Sequence, residues 1–159
     1  RASSIVSVNC SFVLDAIAFL SERDIPVCAH LGLTPQSVLK LGGFKVQGRD
    51  EQAALAIIEQ AKQVERAGAQ LLVLECLPSS LAKSVTETVG IPTIGIGAGP
   101  DCDGQILVSY DALGINSGHR RPRFVKDFLA GNGSIDAAFA QYVRDVKSGE
   151  FPSLEHGYA

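Results

Sequence analysis

Residues 70–76 read Gln-Leu-Leu-Val-Leu-Glu-Cys and contain the strongest structural signal in the chain. Four large apolar residues in a row, with no polar residue between them, indicate a strand that is covered on both faces, as in a parallel sheet wrapped by helices. Glu75 comes next, where such a strand delivers side chains into a site. Partial burial there strengthens a carboxylate as a base. The alternative is a glutamate that ends the strand and turns into solvent or pairs with a lysine.

The chain on the N-terminal side of this strand predicts a strand, helix, strand unit. Residues 5–9 indicate a short strand, and residues 11–22 indicate a helix with Ser11 as its N-cap. Residues 26–29 form the second predicted strand, which delivers His30 at its end.

A long irregular segment and another helix separate the second predicted strand from Glu75. Residues 31–49 show no convincing period, and a loop of this length in a compact domain is usually functional or mobile. Asp50 is the predicted cap of the next helix, and Gly68 is the predicted left-handed residue that closes it. The apolar face of this helix consists of Ala54, Ile57, Ile58, Ala61 and Val64.

The second half of the chain changes from alternating elements to helices alone. Residues 92–96 and 105–109 predict two more strands, and residues 123–130 and 134–147 predict two helices. Residues 151–159 have the composition of an irregular tail. The apolar stripe of the last helix consists of Ile135, Ala138, Phe139, Tyr142, Val143 and Val146, with Gly149 as its stop.

Alternating strands and helices predict an α/β fold, which is either a doubly wound sheet or part of a barrel. Both folds place the site at the C-terminal ends of the strands. That edge would collect side chains from several units, and the periodicity does not choose between the two folds. The residues expected there are Asn9, His30, Glu75, Gly97 and Asp111.

Composition excludes several classes of protein. A chain of 159 residues suits a single domain over 1–159, with the βα units in 5–112 and the C-terminal helices and tail in 113–159. The net charge of -3 gives no basic field for nucleic acid or anionic membrane. No apolar run approaches the roughly 20 residues of a membrane span. The scattered cysteines predict reduced thiols in a cytoplasmic protein, and they are Cys10, Cys28, Cys76 and Cys102.

Three further candidates have structural alternatives. The glycine-rich run 95–99 has Pro100 where a dinucleotide-binding loop needs its third glycine, so a tight loop is favoured over a phosphate cradle. His30 is expected in the same register as Glu75, as a donor that faces a substrate or as a packed structural residue. His119, followed by two arginines, is either an anion site or a solvated basic turn. No catalytic triad and no metal-ligand cluster can be assembled from the spacing.

Five segments carry a closer resemblance. They are VCAHLGLTPQ at 27–36, GGFKVQGR at 42–49, LVLEC at 72–76, IGIGAG at 94–99 and DGQILV at 103–108. In this order, and almost without gaps, they resemble the ketopantoate hydroxymethyltransferase family, the 3-methyl-2-oxobutanoate hydroxymethyltransferases of pantothenate biosynthesis.

The resemblance implies a (β/α)8 barrel, a fold of roughly 250 residues, of which this chain would supply the later strands and the C-terminal helices. It implies transfer of a hydroxymethyl group from 5,10-methylenetetrahydrofolate to 3-methyl-2-oxobutanoate, a small 2-oxo acid, which gives 2-dehydropantoate. In the family Mg²⁺ polarises the substrate carbonyl, which acidifies the C3 hydrogen. Glu75 matches the proton acceptor, and His30 matches a histidine of the substrate pocket.

The first predicted strand departs from the family pattern. Members carry a substrate-binding lysine and, two positions later, an acidic metal-site residue, and Ser7 and Asn9 stand at these positions. The aspartates that hold magnesium in the family lie upstream of the matching segments. No residue of this chain is therefore assigned as a metal ligand, and we expect the chain alone to be inactive or nearly so.

Two functional hypotheses follow. The first is an enzyme of this family with Glu75 as its base, and the second is a non-catalytic or fragment chain that acts only through assembly with another chain. Unpaired strand edges of an incomplete barrel predict a homo-oligomer. Because the chain begins with Arg1 and contains no Met, we expect that it does not begin where translation began.

Overall fold

The computed structural model of the protein describes residues 4–7, 11–34, 45–115 and 121–159. In chain order the elements are β1 (Ser4–Ser7), α1 (Ser11–Ser21), β2 (Val27–Gly32), α2 (Glu51–Arg66), β3 (Leu71–Glu75), α3 (Ser79–Thr88), β4 (Thr93–Ile96), β5 (Gly104–Gln105), α4 (Ser109–Ala112), α5 (Ile135–Ser148) and a 3-10 helix (Leu154–His156). None of the helices in these ranges has both the length and the apolar character needed to cross a bilayer.

The strands form one parallel sheet whose spatial order is the order in the chain, β1-β2-β3-β4-β5. A doubly wound sheet reverses its order at a switch point, whereas successive strands of a (β/α)8 barrel lie side by side. The observed order therefore favours the barrel over the doubly wound sheet. Within the described residues, β1 and β5 each pair with a single strand, so the barrel is incomplete.

The two faces of the sheet carry different apolar clusters. Alternate residues of β3 point to opposite faces, which explains why its run of apolar residues is unbroken. The helix-side cluster, packed under α1, α2 and α3, includes Ile17, Leu31, Val64, Leu72, Leu74 and Val85. The inner cluster, on the opposite face, consists of Cys28, Leu33, Val73, Cys76, Ile96, Phe124 and Val125. Burial of each large side chain contributes about 1.5–3 kcal/mol.

Helix ends that are specified by local chemistry agree with the predictions. The Asp50 side chain accepts a hydrogen bond from the Ala53 N–H at 2.8 Å and caps α2. Gly68 has a φ of +102° just after that helix, and Gly149 ends α5 with a φ of +77°. Both glycines adopt the left-handed conformation that other residues avoid.

The predicted helix at 123–130 is wrong, because this segment is irregular. Asp127 Oδ1 accepts the backbone N–H groups of Leu129 and Ala130, each at 3.0 Å, and so replaces helical hydrogen bonds with a local turn. The buried residues of the segment also pack in two different places, since Phe124 joins the inner cluster and Phe128 packs with the last helix. An apolar spacing that resembles a helix face therefore comes from two separate contacts.

The predicted strand at 105–109 is also shorter than expected. β5 covers only Gly104–Gln105, and the last backbone bond to β4 runs from Ile106 N to Gly95 O at 3.0 Å. β4 ends at Ile96, and Gly97 turns away with a φ of +64°. Residues after 106 consequently have no strand beside them to extend the pairing.

The C-terminal region differs from the prediction in two respects. Of the predicted stripe on α5, Ala138, Tyr142 and Val146 pack inward, whereas Ile135, Phe139 and Val143 are exposed. The apolar residues span too wide an arc for the one neighbouring surface that the described chain provides. The tail is not irregular throughout, since it contains the 3-10 helix and buries Phe151 beside the rings of Phe128 and Tyr142.

Asp145 is a charged residue inside this C-terminal packing, with only 2% of its surface exposed. Its Oδ2 accepts from Lys126 Nζ at 2.6 Å, and its Oδ1 accepts from Gln141 Nε2. Burial alone would raise the pKa of Asp145, but the hydrogen bonds and the charges of Lys126 and Arg144 outweigh it and lower the pKa. The carboxylate therefore stays ionised and joins α5 to the segment before it.

Asp145→Asn is expected to lower the free energy of unfolding by about 2 kcal/mol at pH 7, because it removes a charged acceptor from a buried pair. A depressed folded-state pKa contributes stability above the unfolded-state value, and that contribution is lost as the pH falls through the folded value. The difference between the two proteins should therefore shrink below about pH 4. Urea unfolding from pH 3 to pH 8 measures it, with exposed Glu150→Gln as the matched control. A difference that does not change with pH would contradict the assignment.

Candidate active site

His30 and Glu75 lie on neighbouring strands, on the face of the sheet that carries the inner cluster. β2 continues to Gly32, so His30 lies inside the strand and not at its end. The predicted shared register is wrong by two residues, since Glu75 pairs with Gly32 and His30 pairs with Val73. The side chains nevertheless meet, with His30 Nε2 3.0 Å from Glu75 Oε2.

Gly32 allows the two strands to stay close at this point. Its φ is +92°, and a Cβ atom there would lie 2.1 Å from the backbone oxygen of Glu75. The same oxygen accepts a hydrogen bond from Leu33 N at 2.9 Å. Any larger residue at position 32 would separate the ends of β2 and β3, and would thereby displace Glu75 from His30.

The contact between His30 and Glu75 is close but incomplete. The side chains are 11% and 17% exposed, so both are largely withdrawn from water. Although the two atoms lie at ion-pair distance, their directions do not meet hydrogen-bond geometry, and the buried Nε2 has no hydrogen-bond partner among the described residues. A buried polar atom without a partner costs about 1–3 kcal/mol. The arrangement therefore places a buried ring nitrogen of His30 directly beside a carboxylate.

Cys76 fixes the backbone immediately after Glu75. Its φ of +51° is rare for a residue other than glycine. The conformation is held by hydrogen bonds from Cys76 N to Ile96 O and from Gln47 N to Cys76 O, both 2.9 Å. Burial, and secondarily the charge of Glu75, raise the pKa of the Cys76 thiol to about 12. The thiol is therefore protonated at neutral pH and reacts only slowly with electrophiles.

The glycine-rich run 95–99 is a tight loop, as the sequence favoured. Its glycines are covered by the side chains of the protein itself. A Cβ atom at Gly97 would lie 2.6 Å from the Phe124 ring, and one at Gly99 would lie 2.4 Å from Ser79 Oγ. The Gly99 carbonyl accepts a hydrogen bond from Gln105 Nε2 at 3.0 Å. The run thus packs against the inner cluster through Phe124.

Gly97→Ala is expected to destabilise the protein by about 2–4 kcal/mol, since it adds both a positive-φ penalty and a clash with a buried ring. Gly131→Ala is the matched control, because Gly131 also has a positive φ of +87° but nothing lies within 4 Å of an added Cβ. The control should lose about 1 kcal/mol, from backbone strain alone. If thermal or urea unfolding shows that both variants lose the same free energy of unfolding, the clash with Phe124 makes no contribution to the effect at position 97.

Comparison with known proteins places these residues in a family. The family model for ketopantoate hydroxymethyltransferase matches residues 2–154. The chain belongs to the ketopantoate hydroxymethyltransferase family. This agrees with the resemblance seen in the five sequence segments, and the family name denotes hydroxymethyl transfer.

Curated relatives carry the name 3-methyl-2-oxobutanoate hydroxymethyltransferase. The Stenotrophomonas maltophilia protein is 60% identical over 148 residues, which cover 93% of this chain and 54% of that protein. The Xylella fastidiosa strain M12 protein is 58% identical over 145 residues, covering 91% and 53%. The Xanthomonas euvesicatoria protein is 58% identical over 146 residues, covering 92% and 54%. The chain therefore spans about half the length of the relatives it matches.

The magnesium ion implied by the family resemblance does not fit the side chains found here. Among residues 4–7, 11–34, 45–115 and 121–159, no group of three or more His, Cys, Asp or Glu residues could hold a metal ion. Glu75 supplies one carboxylate, and its neighbour His30 supplies a nitrogen, whereas magnesium prefers oxygen ligands. Position 7, where the family has lysine, pairs with His30 in the sheet register. It is Ser7 in this member of the family.

The other sequence candidates do not join this pair in the described part of the chain. Asp111 lies in α4, after the last strand. Asn9 and His119 lie outside the described residues, as does much of the loop predicted at 31–49. Two surface clefts, of about 340 and 190 Å³, are lined mainly by α2, α3 and the loop before α2. His30 and Glu75 line neither of these two clefts.

Sequence reasoning missed several residues around the pair. Phe124 and Val125, about fifty positions after Glu75, join the inner cluster, and no local sequence pattern predicts such a contact. Tyr158 packs on the same cluster from the tail. Gly32 offered a weak signal, because a glycine two residues after His30, near the end of a predicted strand, is consistent with close backbone approach. In this member of the family the candidate site therefore depends on contacts distant in sequence.

Proposed function

We propose that this chain carries the base and the substrate-binding histidine of a 3-methyl-2-oxobutanoate hydroxymethyltransferase. The observation that supports the proposal is the His30–Glu75 contact at 3.0 Å, with the buried Nε2 lacking a partner among the described residues. A carboxylate shielded from water, next to an unfilled hydrogen-bonding position, suits proton removal from a bound polar molecule. The family and the names of the relatives point to the same reaction.

In the proposed reaction Glu75 takes the proton from C3 of 3-methyl-2-oxobutanoate. The electrons of the broken C–H bond move toward the 2-oxo group and form an enolate. C3 of the enolate then bonds to the methylene carbon of 5,10-methylenetetrahydrofolate as one of its C–N bonds breaks, and water replaces the second folate nitrogen to give the hydroxymethyl group. Tetrahydrofolate leaves with two protons on these nitrogens, one from Glu75 and one from the water. A positioned general base contributes about 10²–10⁴-fold to such a proton transfer.

His30 is proposed to orient the substrate. Its Nε2 would bond to the carboxylate or oxo oxygen of the 2-oxo acid, which would satisfy the buried atom and place C3 beside Glu75. Ligand binding then removes the cost of an unpaired buried group. The proximity of the two residues explains how one bound molecule can contact both.

The fold supports a proposal about which part of the protein this is. We place the sheet as the later strands of the barrel and α4, α5 and the tail as its C-terminal elements, with 1–159 forming one domain. The chain leaves the strand pattern after β5 and does not return to it in the described residues, which supports this placement. The single-neighbour edges of β1 and β5 favour a homo-oligomer, and a metabolic 2-oxo acid and folate favour a cytoplasmic protein without nucleic-acid or membrane partners.

The second candidate function is a non-catalytic chain that keeps the scaffold and acts by assembly. Ser7 and Asn9, in place of the lysine and acidic residue of the family, are the observations that favour it. A neutral hydroxyl and a neutral amide cannot supply those charges. The two functions differ in whether Glu75 removes a proton from C3 of a bound 2-oxo acid.

Exchange of the C3 hydrogen of 3-methyl-2-oxobutanoate in heavy water, followed by NMR with and without magnesium, tests the function without folate. We would compare this chain with a chimera in which it replaces the matching 148 residues of the Stenotrophomonas maltophilia relative. The chain alone should exchange little above buffer, and the chimera should exchange measurably. If the chimera shows none, and still none after positions 7 and 9 are returned to the family residues, the non-catalytic function is the correct one.

A further inference from the structure

The last residues of the chain return to the helix that follows Glu75. Pro78 precedes α3 and makes no side-chain capping hydrogen bond. The Ser79 N–H at the start of this helix instead donates to the Tyr158 carbonyl at 2.9 Å, and Pro78 and Tyr158 form a parallel bridge. A tail carbonyl thus satisfies one of the first N–H groups of the helix, which have no acceptor within the helix itself.

The fit of this segment is close at both ends. Gly157 is buried, and a Cβ atom there would lie 2.6 Å from Ser79 Oγ. At the other end Phe151 is buried, and its ring lies 5.0 Å from the His156 ring. Ser153 N donates to His156 Nδ1 at 3.2 Å, which closes the turn between the two ends. Residues 151–158 therefore form an ordered segment that packs against the start of α3.

Tyr158 lies at the end of this segment, on the face of the sheet that carries His30 and Glu75. Its side chain packs against the inner cluster, which contains Val73 and Cys76 on either side of Glu75 in sequence. Burial, and secondarily Cys76, raise the pKa of the Tyr158 hydroxyl, with Arg123 and Arg49 opposing the shift. The side chain thus presents a neutral ring at physiological pH.

The proposed substrate needs an apolar surface at this place. C3 of 3-methyl-2-oxobutanoate bears two methyl groups, so a base that reaches the C3 hydrogen has those methyl groups close by. Glu75 and His30 supply only polar atoms. The apolar side chains on this face belong to the inner cluster and to Tyr158.

We propose that Tyr158, carried by the docked tail, is a positioning and specificity-determining residue, whose ring forms the apolar wall that receives the branched end of the 2-oxo acid beside Glu75. The proposal rests on the proposed function for its substrate and on the packing of the tail for its geometry. It assigns to the C-terminal residues a role in discrimination between branched and unbranched 2-oxo acids.

Two measurements on the chain test the proposal, with Tyr158→Ala and the ring-preserving Tyr158→Phe compared after thermal unfolding has shown both to be folded. The first is alkylation of Cys76 by iodoacetamide, located by mass spectrometry. Tyr158→Ala should speed it at least 10-fold and Tyr158→Phe less than 2-fold, because the ring covers the inner cluster. Cys102, which is half-buried and packs on the helix-side cluster, serves as the internal control.

The second measurement is the affinity for 3-methyl-2-oxobutanoate and for unbranched 2-oxopropanoate, by NMR titration. Tyr158→Ala should weaken binding of the branched acid about 10-fold and leave that of the unbranched acid within 2-fold, as expected for loss of an apolar contact. Equal weakening of both acids, or an unchanged rate at Cys76, would overturn the proposal. If neither the unaltered chain nor the chimera with the Stenotrophomonas maltophilia relative binds either acid, the proposed function fails and the substrate contact with it, while the alkylation rates still decide where the ring lies.

Discussion

Glu75→Gln is expected to slow C3 exchange of 3-methyl-2-oxobutanoate at least 100-fold in the chimera with the Stenotrophomonas maltophilia relative. The amide has nearly the same shape as the carboxylate but cannot accept the proton, and general bases contribute about 10²–10⁴-fold. Binding of the 2-oxo acid should change much less, because His30 is retained and the amide is uncharged. A loss confined to exchange separates a base from a residue that only binds substrate.

Glu87→Gln is the matched control for this prediction, since Glu87 is exposed on α3 and the substitution has the same chemistry. It should leave exchange within 2-fold. Unfolding curves of both variants will show whether the loss at position 75 is a loss of fold. Exchange by Glu75→Gln at the rate of the unaltered chimera would remove Glu75 from the reaction.

Ser7→Lys combined with Asn9→Glu is expected to raise exchange in the chimera at least 10-fold. Position 7 lies beside His30 in the sheet register, so a lysine there would bring an ammonium charge to the strand next to the histidine that we propose binds the substrate. Hydrogen bonds to charged groups contribute about 1.5–3 kcal/mol, equivalent to roughly 10-fold or more in binding or rate. The added glutamate restores the acidic character that the family has two positions later.

Gln52→Glu combined with Thr88→Lys adds the same two charges at exposed positions on α2 and α3, and is the control for a general charge effect. It should leave exchange unchanged. Each single substitution should give less than the pair, because the two opposite charges also compensate each other. A pair that gains nothing would mean that Ser7 and Asn9 are not the reason for low activity.

The sequence predicted those parts of the fold that short-range chemistry specifies. A carboxylate before α2 and a glycine after it define that helix, because a cap and a left-handed residue act within one turn. β3 was recognisable because both of its faces are covered. The side-chain contact between Glu75 and His30 could be predicted, because the C-terminal ends of parallel strands lie at the same edge of the sheet.

What the sequence did not predict depends on contacts between distant segments. The spacing of Phe124 and Phe128 resembles a helix, but the two rings fill different clusters. Which half of the apolar surface of α5 is buried depends on Phe128 and Phe151, and the tail is ordered by Ser79. The two-residue offset between His30 and Glu75 reflects the stagger of parallel strands, which periodicity within one strand does not contain.

The strand order β1-β2-β3-β4-β5 also bears on how the protein is made. Each strand joins the one synthesised just before it, so the separation along the chain between partners stays small and the entropy lost in closing each loop is modest. During translation every new unit finds its neighbour already outside the ribosome. Assembly can thus proceed vectorially, whereas residues 151–158, which reach back to Ser79, dock on an element made much earlier.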